Sequence, residues 1–282
     1  MTTIKIVGVP EHFNLPWHLA LEDGSFAGKE IDLQWTDVPE GTGKMCQMLR
    51  NNETDIAVIL TEGIVKDIIA GNQSKIVQVY VESPLIWGIH VDANSSYQTL
   101  SDLEHKKAAI SRLGSGSQLM AYVNADNQGW KTDALEFEIV NTIDGAVEAL
   151  SNRRADYFMW ERFMTKPLVD KGIFRKVADC PTPWPCFVIA VRNEILELYP
   201  NVIADILQII NRRTTNFKQI PNIDTVLSER FHQKTEDIRE WLSLTEWSHK
   251  NLDEETLNKI QNQLFAIGII DKKGTFAEIV AS

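Results

Sequence analysis

The sequence predicts an α/β protein of two lobes, each a mostly parallel sheet covered by helices. Three observations lead there. Strand-like runs alternate with helix-period segments from residue 4 to 81; the same plan repeats from 106 to 160; and the residues beyond 191 are amphipathic helices with no sheet of their own. A chain of 282 residues is long for one compact core and comfortable for two.

The elements follow in order. "IKIVGV" (4–9) and "IDLQWTDV" (31–38) read as strands. Met45, Met48 and Leu49 then mark one helical face, which ends before the buried-strand run "DIAVIL" (55–60). A helix over 62–71, closing at Gly71, leads to "KIVQVYV" (75–81). The middle section gives a strand at "KKAAISRL" (106–113), a helix from Ser117 to Gln128, a strand over 135–140, a helix from Asp144 to Asn152 and a strand over 155–160. An internal echo joins the halves: "LRNNETDIAVIL" (49–60) and "LSNRRADYFMWE" (150–161) superpose Leu49 on Leu150 and Asp55 on Asp156. After "PCFVIAV" (185–191) come three apolar stripes: Ile203, Ile206, Leu207 and Ile210; Ile238, Trp241 and Leu242 behind a Thr235 cap; and Leu257, Ile260, Leu264 and Ile267 behind Asp253, stopping at Gly268. These stripes need a sheet to cover, and the first lobe supplies it if the chain crosses between lobes near 82–90 and again near 184–192.

Composition narrows the function. A net charge of −11 argues against a nucleic-acid groove or an anionic membrane surface as partner. No apolar run approaches the roughly 18 residues of a membrane span, and "MTT" leads directly into "IKIVGV" without a signal-peptide pattern. The expected location is therefore cytoplasmic, or periplasmic if a leader once preceded the chain. Three cysteines, Cys46, Cys180 and Cys186, cannot all pair and form no C-x-x-C, so buried thiols are expected and neither a disulfide framework nor a zinc site. The six histidines have no metalloprotease spacing, no serine has a nucleophile-elbow setting, and no acidic cluster has metal spacing, so no catalytic set, metal or cofactor is assigned. His12 and His18 flank the first strand–helix loop and read as polar loop residues within reach of a site.

What remains points to binding. The loop "GSGS" (114–117) follows a strand and opens a helix, where unpaired amides and the positive helix end attract anionic groups, and Arg112 stands two residues before it. A capped turn, with Ser115 or Ser117 as the cap, is the structural alternative. "PEGTGKM" (39–45) repeats that grammar in the first half. "FNLPWHLA" (13–20) carries an exposed-looking aromatic, Trp17. "LTEG" (60–63) places Thr61 and Glu62 at a strand end, where α/β sheets present ligand residues, though Thr61 also reads as a helix cap. "MWERF" (159–163) does the same with Trp160 and Glu161, and "TPWPC" (182–186) fixes Trp184 between two prolines. Tryptophans at strand ends and crossovers, Trp17, Trp87, Trp160 and Trp184, suit a flat or apolar organic molecule.

With these residues in view the chain resembles the type II periplasmic-binding-protein fold, and within it the nitrate, sulfonate and thiamine-precursor binding group. The resemblance rests on "PWHLALEDGSF" (16–26), "GTG" (41–43), "DIAVILTEG" (55–63), "SRLGSGS" (111–117), "DYFMWE" (156–161) and "TPWPCFVIA" (182–190), and covers nearly the whole chain. It implies a Venus-flytrap with a discontinuous first lobe, 1–86 and 188–282, a second lobe, 87–187, and a hinge closing on a small molecule. By position, the resemblance puts Asn14, Trp17, Thr42, Thr61 and Glu62 in one wall of the site, Arg112, Ser115, Gly116, Ser117, Trp160 and Glu161 in the other, and Trp184 near the hinge. The implied function is binding a precursor-like amine or pyrimidine, a sulfonate or a similar solute for an ABC-type uptake or sensing system, with a permease as possible partner. The alternative is a cytoplasmic enzyme of thiamine- or menaquinone-type cofactor biosynthesis on the same fold; the cysteine-rich motif of the thiamine-pyrimidine synthases is absent and no menaquinone-type catalytic set matches.

Overall fold

The computed structural model describes residues 1–281. The chain forms two compact units, Met1–Ser83 with Trp184–Gln261 and Lys272–Ser282, and Pro84–Pro183 with Asn262–Asp271. The first unit begins with β1 (Thr2–Gly8), α1 (Leu15–Glu22), β2 (Ile31–Asp37), α2 (Thr42–Arg50), β3 (Ile56–Leu60), α3 (Thr61–Ile69) and β4 (Ser74–Val81). The second contains β5 (Ile86–Asp92), β6 (Ala108–Ile110), α4 (Gly116–Gln128), β7 (Phe137–Ile139), α5 (Ile143–Ser151), β8 (Tyr157–Glu161), α6 (Arg162–Asp170) and β9 (Phe174–Pro181). The chain then returns through β10 (Phe187–Arg192), α7 (Asn193–Leu198), α8 (Pro200–Thr215), α9 (Ile223–Phe231), α10 (Thr235–Leu244), α11 (Glu254–Ala266) and α12 (Phe276–Ile279).

Each unit is built on a five-stranded sheet, β2-β1-β3-β10-β4 in the first and β7-β6-β8-β5-β9 in the second. Both are mixed. β1 pairs in parallel with β2 and β3, whereas β10 runs antiparallel between β3 and β4. In the second sheet β6 is parallel to β7 and β8, and β5 is antiparallel to β8 and β9. The mostly parallel expectation holds, with one reversed strand in each sheet. That strand is the one that follows a crossover, so its direction depends on chain routing and not on its own residues.

The echo between the halves has a structural counterpart. Asp55 accepts from the Lys5 amide at 2.9 Å, and its own amide donates to the Lys5 carbonyl at 3.0 Å. Asp156 makes the same pair with Lys107, at 2.9 and 2.8 Å. In both units an aspartate one residue ahead of the strand locks it to its parallel neighbour, satisfying backbone groups that the short ladder leaves open.

Packing follows the apolar pattern. Ile203, Ile206 and Ile210 of α8, Ile238 and Trp241 of α10, and Leu257, Ile260 and Leu264 of α11 are buried, while Leu207 is half-buried. Asp253 caps α11 through the Thr256 amide at 2.7 Å. On α10 the cap position is Lys234, and Thr235 is the first helical residue, its hydroxyl 3.3 Å from Ser228 Oγ. The outer edge of β4 is closed by residues 246–250 and by Ala281, whose amide donates to the Ile76 carbonyl at 2.9 Å. Residues 262–271, expected in the first lobe, belong to the second unit, where Gln263 on α11 donates to Asp126 at 2.8 Å. Among the described residues no helix is long and apolar enough to cross a membrane.

Candidate functional site

In the first unit the end of β3 gathers four of the expected site residues. α3 starts directly on the strand with Thr61, whose hydroxyl donates to the Pro185 carbonyl at 2.6 Å and whose amide donates to the Cys186 carbonyl at 3.1 Å. These two bonds hold the bent 184–186 segment against the helix start. The Trp184 indole N–H consequently lies 2.8 Å from Glu62 Oε2 and donates to it. Gly63 completes the corner, since a Cβ there would overlap the Thr42 methyl; α2 and α3 therefore meet at their first turns, with Thr42 beside Gly63.

Glu62 is 1% exposed and forms no ion pair with any described residue. Burial pushes its carboxyl up to about 7, against the opposing pull of its own backbone amide and the Trp184 N–H. Glu11, on the loop after β1, is also raised to about 7 by burial. Burial lifts the Cys186 thiol well above its ordinary range, and Glu62 and Glu11 both add to that rise, so the two carboxyls act on one thiol. Cys46, Cys180 and Cys186 are all free and buried. Glu11 escapes a sequence reading because no apolar run or glycine marks it, only its position just past a strand end.

Asn14 and Trp17 are fully buried and correct the expectation of an exposed aromatic. Pro16 sits in the first turn of α1 and residue 17 turns inward, where its ring meets Trp35 and Tyr80 at 5.9 and 6.1 Å. Asn14 spends its amide on the Val9 carbonyl at 2.8 Å. His12 is a core residue too, within 5.8 Å of Phe13, Phe231 and Trp241 and 3.3 Å from Gln233; burial lowers its pKa to about 4. His18 lies 3.6 Å from Asp37 beside the Trp35 ring.

In the second unit the strand expected over 106–113 stops at Ile110, because the serines that follow bond to one another. The Ser111 amide donates to Ser117 Oγ at 3.0 Å, Ser115 Oγ lies 3.0 Å from Ser117 Oγ, and Ser115 caps α4 by accepting from the Gln118 amide at 3.4 Å. Gly114 takes φ +74°, which a side chain would strain, and its amide donates to Gln118 Oε1 at 2.6 Å. The capped turn is therefore present, and both hydroxyls serve it. What the loop still offers is the start of a 13-residue helix, whose first amides at Gly116 and Ser117 have no intrahelical acceptor, with half-buried Arg112 preceding it.

Trp160 and Glu161 are the last residues of β8, the strand that corresponds to β3; with Asp55 superposed on Asp156 they fall on Ile59 and Leu60, just ahead of Thr61 and Glu62. Trp160 is half-buried and stacks on Phe158 at 5.4 Å, with Trp87 edge-on at 6.3 Å. Glu161 is 4% exposed and caps α6 by accepting from the Met164 amide at 2.7 Å, a role that its place in the sequence does not announce. Trp87, opposite Glu161 in the β5–β8 register, buries an indole N–H that has no acceptor among the described residues. Together these corners offer hydrogen-bond donors and aromatic faces in the second unit, and a buried carboxyl beside an indole in the first.

A family model described as Ca3427-like PBP matches residues 87–180, about a third of the chain. Among solved structures, the CA3427 gene product of Candida albicans, described as having the generic periplasmic binding protein fold, is similar at 26% identity and a TM-score of 0.89, over 97% of this chain and 92% of that one. The alkanesulfonate-binding protein SsuA of Xanthomonas axonopodis pv. citri, bound to MOPS, is similar at 13% identity and 0.84, over 100% and 98%. A ligand-binding component of an ABC-type import system from Staphylococcus aureus is similar at 14% and 0.75, over 100% and 97%. No curated protein matches the sequence.

Proposed function

We propose that this chain, which has the type II periplasmic-binding-protein-like fold of the sulfonate- and nitrate-binding group, is a solute-binding protein for a small organic molecule. The observation that carries the reading is the equivalence of the β3 and β8 ends, two corners of matching topology that each present a carboxylate and a tryptophan where α/β sheets place ligand residues. In the first unit the candidate ligand contacts are Thr42, Thr61, Glu62 and Trp184. In the second unit the candidate contacts are Arg112, the α4 start at Ser115, Gly116 and Ser117, and Trp160 with Glu161. Arg112 and the α4 amides take an anionic or strongly accepting group; the tryptophans enclose an apolar body. The likeness to a sulfonate-binding protein supports the anionic pole, and the likeness to an import component supports an ABC-type uptake or sensing system, with its permease, as the partner.

Native mass spectrometry of freshly purified protein tests the reading by finding a co-purified small molecule. In thermal-shift screening of amines, pyrimidines and sulfonates, at least one compound should raise the melting temperature, and the rise should shrink in Arg112→Ala and Trp160→Ala. Stabilisation unchanged in both variants misplaces the site. Conversion of the stabilising compound on incubation refutes a pure binding role.

A further inference from the structure

We infer that Glu62 is the seat for a positively charged nitrogen of the ligand, an ammonium or amidinium group, so that the solute is a cationic or zwitterionic amine and not a simple sulfonate. This rests on the reading of the chain as a small-molecule binding protein and narrows its ligand.

A carboxyl as buried as Glu62 ordinarily has an arginine, lysine or metal to offset the loss of water. Glu62 has none among the described residues, where its side-chain partner is the Trp184 indole N–H on Oε2. Its own backbone amide and that indole are neutral donors, and neither supplies the charge that would offset an ionised carboxyl. Nor is the residue there by default of local structure. Thr61 fastens the 184–186 segment to the α3 start and Gly63 admits Thr42, so the surroundings orient Glu62 and supply it with no counter-charge. The titratable group that it acts on is Cys186, which burial keeps protonated and which Glu11 also raises, so no cation enters from that side.

The occupant that meets these conditions brings its own positive charge and N–H donors. An amidinium or primary ammonium completes the missing pair. A sulfonate at this corner would bring a second anion to a buried carboxyl.

Benzamidine and benzenesulfonate, matched in ring and opposite in charge, are the probes, titrated by calorimetry at about pH 8, where the carboxyl is ionised. Benzamidine should bind the wild type, and about tenfold or more weakly the Glu62→Gln variant, which keeps the acceptor for Trp184 and removes only the charge. Cys186→Ser should leave benzamidine binding in place. Benzamidine binding equally well to wild type and Glu62→Gln overturns the inference. Binding of benzenesulfonate alone overturns it while the solute-binding reading stands, and failure of both probes and of the wider amine and sulfonate panel overturns both.

Discussion

Replacing Glu62 with glutamine should stabilise the protein, and by an amount that depends on pH. The wild-type carboxyl is raised from 4.5 to about 7 in the folded state, by burial before any other cause. Below pH ~4.5 both folded and unfolded chains hold the proton and the group costs nothing. Between there and about 7 the unfolded chain is ionised while the folded chain keeps its proton, so stability falls as pH rises, by about 1.4 kcal/mol for each unit. The accumulated cost is under about 1 kcal/mol near pH 5 and about 3 kcal/mol by pH 8, where it levels off. The glutamine of the variant has no proton to hold, and its carbonyl still accepts from Trp184. Urea unfolding of both proteins, followed by tryptophan fluorescence from about pH 5 to 8, should therefore show the variant gaining on the wild type across that range. Taking the difference between the two proteins cancels the contributions of Glu11 and the histidines. A difference that stays flat with pH would refute the account of Glu62 as a buried carboxyl without a cation.

Three further outcomes follow from the same geometry. Gly145→Ala should cost about 2–3 kcal/mol by calorimetry, because the new Cβ would overlap the Val140 carbonyl oxygen, a backbone atom that cannot swing aside as a side chain could; a loss below about 0.5 kcal/mol refutes it. Asp55→Ala and Asp156→Ala should each cost about 1–3 kcal/mol, since each strands a backbone amide, of Lys5 or Lys107; one costly and one silent would break the equivalence of the halves. His12 and His90, lowered by burial to about 4, give stability that is full above pH ~6.5 and is lost as acidification carries the solution toward 4; their imidazole resonances should stay unshifted by NMR until below about pH 5, and titration near 6.5 would contradict their burial.

Particular residues show how far the sequence reaches. Met45, Met48 and Leu49, and the run of β3, buried from Ile56 to Ile59, declare helix and strand by period alone, because one element buries one face and the other buries both. β9 is not legible in this way: as an edge strand carrying Arg175, Lys176 and Asp179 it shows water a charged pattern that resembles a loop. Nor is α6, with Pro167 inside it where a helix is not expected. The serines of the 111–117 loop are readable as a cap, but their mutual bonds depend on where Ser111 ends its strand. Trp17 looks like a surface aromatic because it follows a proline near a loop, and only the packing of Trp35 and Tyr80 shows that the first turn of α1 points it inward.

By itself, then, the order of residues determined the alternation of strands and helices, the repeat that places Asp55 and Asp156 alike, and the strand ends where Thr61, Glu62, Trp160 and Glu161 fall, since these depend on local period and near neighbours. Tertiary structure decided the reversed β10 and β5 and the contact of Glu62 with Trp184, residues separated by 122 positions. Direction within a sheet and the charge environment of a buried carboxyl are set by whichever distant segments the chain brings alongside, and no local pattern encodes them.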